Sequence, residues 1–137
     1  MAAREAEVRV EITSDDDVVA ARQAGRQLAE RLGLGLTDLT LIATAISEVA
    51  RNITAYAGSG EILVRQVEQQ GRNGVQVVAS DEGPGIEDID SALRDGYTTG
   101  GGLGLGLPGA RRLMDDFAIN SQVGRGTTIT MTKWAPQ

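Results

Sequence analysis

Seven of the seventeen residues from Gly96 to Arg112 are glycine, and glycine is a poor former of both helix and strand. Any fold for this chain is therefore expected to carry a loop through the part of this run that precedes its helical pattern. One reading is an ordinary flexible linker. Another follows from the leucines Leu103, Leu105 and Leu107 set between the glycines, and from the helical pattern that begins at once behind them. A glycine loop that enters a helix N-terminus leaves backbone N–H groups free to meet an anion such as phosphate.

Hydrophobic periodicity places the other elements. Val8, Val10 and Ile12 alternate with charged residues, as in a half-buried strand. Ser14 before Asp15, Asp16 and Asp17 is a helix start, with a cap and first-turn acids facing the helix dipole. That helix is expected to run to about Arg31 with Val18, Ala21, Leu28 and Leu32 inward, and to end at Gly33 and Gly35. A second helix starts near Thr37. Its apolar positions Leu39, Ile42, Ala43, Ile46, Val49, Ala50 and Ile53 keep helical spacing, and Gly58 and Gly60 stop it. Glu61 to Val67 and Val75 to Ser80 read as strands, with Asn73-Gly74 as the tight-turn signal between them. Residues 83–104 are loop, with one helical turn expected at 88–94. Leu105 to Phe117 reads as a helix with Leu107, Leu113, Met114 and Phe117 inward. Ala118 to Val123 and Thr127 to Lys133 read as a last pair of strands.

The order β-α-α-β-β-α-β-β predicts an α+β fold, a two-layer sandwich with a largely antiparallel sheet. A length of 137 residues suits one domain spanning 1–137. Aromatic residues make up only 3% of the chain, so the core must be built from Ala, Val, Ile and Leu.

Composition also excludes. The formal net charge is −6, and the cations are scattered, which argues against a nucleic-acid partner. There is no Cys, hence no disulfide framework and no thiolate metal site. There is no His, which removes His-based triads, His metal sites and phosphohistidine. No apolar run approaches the ~20 residues of a membrane span, and the N-terminus lacks an apolar signal core. A cytoplasmic protein with no membrane partner is the simplest expectation.

Three stretches carry the chemistry. Glu48 and Asn52 stand four apart on the second helix and share a face with Leu41 and Ala45. Such a pair is common on solvated helix faces. It can also act: an Asn carbonyl is a hard oxygen ligand suited to Mg²⁺, and a Glu beside it could orient or deprotonate a hydroxyl. Asp81 ends an apolar strand and is followed by Gly83, Pro84 and Gly85. This could be a plain turn, or a carboxylate placed to accept a hydrogen bond from an exocyclic amine such as adenine's. The third stretch is the glycine run itself. Its segment from Gly104 to Gly109 also fits the dinucleotide fingerprint, but no strand leads into it and no acid stands about 20 residues on. A Walker loop or a eukaryotic-type kinase fold would need a phosphate-contacting Lys, and the only Lys is Lys133.

In order and character these stretches resemble the boxes of the Bergerat-fold ATPases, the superfamily of gyrase, the heat-shock chaperone ATPase domain, sensor histidine kinases and MutL. Glu48 to Asn52 looks like the N box, Asp81-Glu-Gly83-Pro-Gly85 like the first glycine box, and Gly102-Leu-Gly-Leu-Gly106 like the second. Gly124-Arg-Gly-Thr127 looks like the Gly-x-Gly-Thr that follows them. The likeness covers nearly the whole chain. Ala45 to Asn52, Asp95 to Thr99 and Gly104 to Asp115 narrow it to the small anti-sigma-type serine kinases, and within them to the stressosome switch kinases.

The resemblance implies a Mg²⁺-ATP-dependent serine/threonine kinase acting on STAS-domain proteins. It further implies that the released kinase binds and activates a metal-dependent serine phosphatase. Glu48 would be the general base and Asn52 the Mg²⁺ ligand. Asp81 would read adenine's amine, with Thr127 helping through water. Gly83 and Gly85 would let the base approach the backbone. Gly102, Leu103, Gly104, Leu105 and Gly106 would line the phosphates. Arg51, Thr98 and Thr99 are near in sequence without an assigned place. The alternative is an anti-sigma factor or nucleotide-dependent switch that binds a partner with little phosphotransfer.

Overall fold

The computed structural model describes residues 7–86 and 106–136. In chain order they form β1 (Glu7–Ile12), α1 (Asp15–Arg31), α2 (Leu36–Tyr56), β2 (Gly60–Gln69), β3 (Arg72–Asp81), α3 (Gly106–Leu113), β4 (Asp116–Gln122) and β5 (Gly126–Trp134). The strands make one antiparallel sheet in the order β1-β2-β3-β5-β4. This is the expected α+β sandwich, with all strand pairs antiparallel.

The two-residue period of the strands sorts their side chains into two faces. Val75, Val77 and Ala79 of β3 are buried, while Gln76, Val78 and Ser80 between them are only partly covered. Register aligns Ile62, Ala79 and Ile129 in one row, and Val64, Val77 and Met131 in the next. Against these rows α2 lays Ile42, Ile46, Val49 and Ile53, each at most 1% exposed. A buried side chain of this size contributes roughly 1.5–3 kcal/mol, so α2 is anchored as firmly as any element here. Two of its hydroxyls are satisfied within the helix: Thr44 and Ser47 donate to the carbonyls of Thr40 and Ala43, both at 2.9 Å. Val18, Ala21, Leu28 and Ala29 bury α1 in the same core.

Several boundaries differ from the sequence expectation. The β2–β3 turn is Gln70-Gly71, not Asn73-Gly74. Both turn residues have positive φ, 54° and 77°, the geometry of a two-residue hairpin turn, and Gln69 pairs with Arg72. A turn at Asn73-Gly74 would slide Ile62 opposite Gly85, beyond the apolar run that must cover it. Gly74 instead lies against Trp134, where a Cβ would come within 2.7 Å of the indole ring. Helix α3 stops at Leu113 and not at Phe117. Asp115 N–H already bonds the Thr132 carbonyl at 2.9 Å, and Phe117 pairs with Met131 in the sheet. Leu107 and Met114 are buried as expected, while Leu113, Phe117 and Leu32 are half-buried. Gly58 N–H closes α2 on the Ile53 carbonyl at 2.9 Å, and Gly60 already belongs to β2. The helical turn expected at 88–94 lies outside the described residues. Among the described residues no helix is long and apolar enough to cross a membrane.

Candidate nucleotide site

Glu48 and Asn52 lie one turn apart on α2, next to the buried stripe. The Glu48 side chain is 11% exposed and Asn52 is 8% exposed, so neither stands on an open, solvated face. Arg51, half-exposed, reaches back to Glu48 with its Nη1 3.4 Å from Oε2. Among the described residues the Asn52 side-chain amide has no hydrogen-bond partner, and none of its polar atoms is sealed off from the outside. An amide withdrawn from bulk water, unpaired and reachable, suits a ligand from outside the chain. No group of three or more His, Cys, Asp or Glu stands ready to hold a metal among the described residues.

Asp81 closes β3 beside the last turns of α2. A Cβ placed on Gly60 would lie 2.9 Å from Ile53 Cγ2 and 3.1 Å from Asp81 Cβ, so helix and strand ends converge there. Asp81 Oδ1 accepts the Gly83 N–H at 2.9 Å. Its other oxygen takes no hydrogen bond from the described residues. The two glycines that follow are required by packing. A Cβ on Gly83 would come within 2.6 Å of Ala57 Cβ, at the end of α2. Gly85 has φ +80°, and its Cβ would meet the Gln122 carbonyl oxygen at 2.3 Å. The segment thus passes tightly over α2 and the end of β4, which keeps Asp81 at the mouth of the sheet.

Thr127 is the residue opposite Asp81 in the β3–β5 ladder. It is 5% exposed and faces the helix layer with Ile129 and Met131. Asp81, Gly83, Gly85 and Thr127 therefore form one connected group. Ser121, which the sequence reading did not single out, ties that group together. Its Oγ accepts the Ile86 N–H at 2.7 Å and lies 2.9 Å from Thr127 Oγ1. The Gly124 N–H bonds the Pro84 carbonyl at 2.8 Å and adds a second tether. The sequence signal for Ser121 was its parity with Thr127 across a glycine turn, visible only once the register is known.

Gly106 is buried at the first position of α3, and α3 packs on α2. Gly102, Leu103, Gly104 and Leu105 lie outside the described residues, as do Thr98 and Thr99. On the outer face of the sheet a cleft of about 390 Å³ also reaches Asp81. It is lined by Glu11, Glu61 and Glu82 as well, so it would repel a triphosphate.

A chain whose described residues run β-α-α-β-β-α-β-β, with this paired carboxylate and amide and this strand-end aspartate, has known counterparts. The family model of the histidine kinase-like ATPase domain matches residues 11–133. The chain belongs to that family. It is 53% identical over 125 residues to the serine/threonine-protein kinase RsbT of Bacillus subtilis, covering 91% of this chain and 94% of that one. It is 32% identical over 120 residues to an anti-sigma F factor of Caldanaerobacter subterraneus, covering 83% and 82%. Among solved structures it resembles the RsbU and RsbW domains of a Mycobacterium tuberculosis protein, with a TM-score of 0.63 and 20% identity. That likeness covers 97% of this chain and 33% of the other, and it supports the shared fold alone.

Proposed function

We infer that this chain is an ATP-dependent serine/threonine-protein kinase that works as a single domain over residues 1–137. Its class rests on the 53% identity to a serine/threonine-protein kinase across nearly the full length of both chains. The observation that carries the mechanism is the pair on α2: a carboxylate and an amide one turn apart, both largely withdrawn from water.

Asp81, with one oxygen unpaired among the described residues, accepts adenine's exocyclic amine, and Thr127 supports it from the facing strand. Gly83 and Gly85 bring backbone close to the base. Asn52 offers its side-chain oxygen to Mg²⁺, which neutralises phosphate charge when bound. Residues Gly102 to Gly106 run into the N-terminus of α3, where free N–H groups favour phosphate. Glu48 takes the proton from a partner's serine or threonine hydroxyl as that oxygen bonds to the γ-phosphorus, while the bond from that phosphorus to the β–γ bridging oxygen breaks and ADP leaves. Arg51 beside it holds the carboxylate in place. Most of the rate comes from positioning and charge neutralisation.

The substrates in this reading are STAS-domain proteins of a stressosome, in the cytoplasm, and the released kinase binds and activates a metal-dependent serine phosphatase. The identity to anti-sigma F factors supports a second reading, a nucleotide-dependent binding switch with little phosphotransfer. Labelled ATP, Mg²⁺ and a purified STAS-domain protein separate the two. Wild type should transfer label to serine or threonine. Glu48→Ala should keep its ATP affinity and lose ~10²–10⁴ in transfer rate. Transfer at the wild-type rate by Glu48→Ala would remove Glu48 as the base. ATP-dependent partner binding without transfer by the wild type would favour the switch.

A further inference from the structure

We propose that Arg51 selects the protein substrate: it binds a carboxylate side chain that lies beside the acceptor hydroxyl, and turns from Glu48 to that carboxylate as the substrate docks. This rests on Glu48 acting as the base of a protein kinase, and it adds the chemistry of the segment that the base receives.

The helix itself sets the geometry. An α-helix turns about 100° per residue. Seen from Glu48, Asn52 is therefore displaced about 40° to one side and Arg51 about 60° to the other. Exposure rises in the same order. Asn52 is 8% exposed, the Glu48 side chain 11% and the Arg51 side chain 53%. With Mg²⁺ and phosphate on the closed side, at Asn52, a protein hydroxyl reaches Glu48 from the open side. Arg51 stands on that side.

Arg51 is the only cation in the 21 residues of α2. Among the described residues its guanidinium has one partner, Glu48 Oε2, at 3.4 Å. Charge-assisted bonds of this kind are usually about 2.7–2.9 Å long, so this one is loose. The helix offers nothing better one turn away. Ser47 and Thr54 donate their hydroxyls to the Ala43 and Arg51 carbonyls, and Ala55 has no polar side chain. A guanidinium carries five N–H donors in a planar fork that matches a carboxylate, and the contact to Glu48 uses one of them. An ion pair this exposed is easily exchanged for a better one.

A substrate carboxylate is the anion that fits. On its own, an acid beside the acceptor hydroxyl would meet Glu48 as a like charge and be repelled. Arg51 between the two removes that repulsion, and its turn outward leaves the Glu48 oxygens to the hydroxyl proton. A basic residue in the same place would be repelled by Arg51 and would compete for Glu48. The site thus discriminates by repulsion as well as by attraction.

Transfer of label from Mg-ATP to a purified STAS-domain protein, with the concentration of that protein varied, tests this. Arg51→Ala should raise KM for the protein about 5- to 20-fold, the scale of a charge-assisted bond at an open rim. The Kd for Mg-ATP, measured by calorimetry without the protein substrate, should stay at the wild-type value. Arg51→Lys keeps the charge without the fork and should recover part of the KM. Added salt should raise the wild-type KM more steeply than that of Arg51→Ala. The acidic residues beside the acceptor hydroxyl are then replaced in turn by lysine. One of these substrates should be phosphorylated better by Arg51→Glu than by the wild-type kinase. A loss confined to kcat in Arg51→Ala would make Arg51 a holder of Glu48 alone and overturn the proposal. A weakened Kd for Mg-ATP would put Arg51 on the phosphates and overturn it as well, as would a charge exchange that restores no substrate. In each of these cases the kinase reading stands. A wild type that transfers no label would overturn that reading and this proposal with it.

Discussion

Asn52 shows how a single side chain can be placed against its own preference. Asn is a mediocre helix former, and this one sits in a long helix among isoleucines, 8% exposed, its amide unpaired among the described residues. Local structure gains nothing from that choice, which is why the position stands out. Asn52→Ala should leave the fold intact and raise helix propensity slightly. It should weaken Mg-ATP binding roughly 10- to 100-fold, the scale on which partners at metal sites act. ATP binding measured with the divalent ion chelated should change little. Unchanged Mg-ATP affinity in a folded variant would remove Asn52 from the site. Asp81 is the opposite case, since an Asp before glycines at a strand end is ordinary. Its ladder position opposite Thr127 and an oxygen that no described residue bonds distinguish it.

Element ends in this protein are held by particular side chains, some local and some distant in the chain. Ser14 occupies the N-cap position of α1, but its hydroxyl makes no bond to the helix backbone. The work falls to Asp17, whose carboxylate accepts the Thr13 N–H at 2.8 Å and the Thr13 hydroxyl at 2.9 Å. These bonds, the backbone one first, hold the Asp17 carboxyl below the ordinary aspartate value. A depressed folded pKa contributes stability that is complete above the unfolded value, about 4. That contribution is lost as pH falls through the folded value. Asp17→Asn should therefore be less stable than wild type near pH 6, and the gap should close as pH drops below about 4. Urea unfolding across that range measures it, and a gap independent of pH would show that the charge is irrelevant. At the other end of the fold, Lys133 is the chain's only lysine. Its Nζ donates to the Leu113 carbonyl at the end of α3 at 3.0 Å, and lies 3.5 Å from Asp115 and 4.0 Å from Asp38 at the start of α2. It fastens β5, α3 and α2 together from a side chain only 13% exposed. Lys133→Ala should cost about 1–3 kcal/mol in urea unfolding, with Lys133→Arg recovering part. An unchanged midpoint would mean the contacts are incidental.

At the scale of the whole molecule the candidate site is a junction of the end of β3, the start of β5 and the C-terminal half of α2, with α3 packed on α2. A ligand that bridges elements in the folded state alone stabilises all of them. Mg-ATP at a hundredfold excess over its Kd should add about 2.7 kcal/mol to the unfolding free energy. It should raise Tm visibly in a thermal melt, and Asn52→Ala should abolish most of the rise. A melt insensitive to Mg-ATP would contradict the site. The residues themselves declared the elements, because helix and strand periods, caps and glycine stops are local properties. The absence of His and Cys bounded the chemistry on offer, and the spacing of Glu48 from Asn52 placed the two on one helix face. What local signals could not decide was register and strand order. The Asn73-Gly74 signal lost to Gln70-Gly71 because burying Ile62 and Val64 against Val77 and Ala79 outweighs a good turn dipeptide. Strand β5 lies between β3 and β4, so Asp81 meets Thr127, and Ser121 meets both Thr127 and the Ile86 backbone. Asp81 with Thr127 and Ser121 with Ile86 are far apart in the chain, and only the packing of one apolar sheet face against two helices brings each pair together.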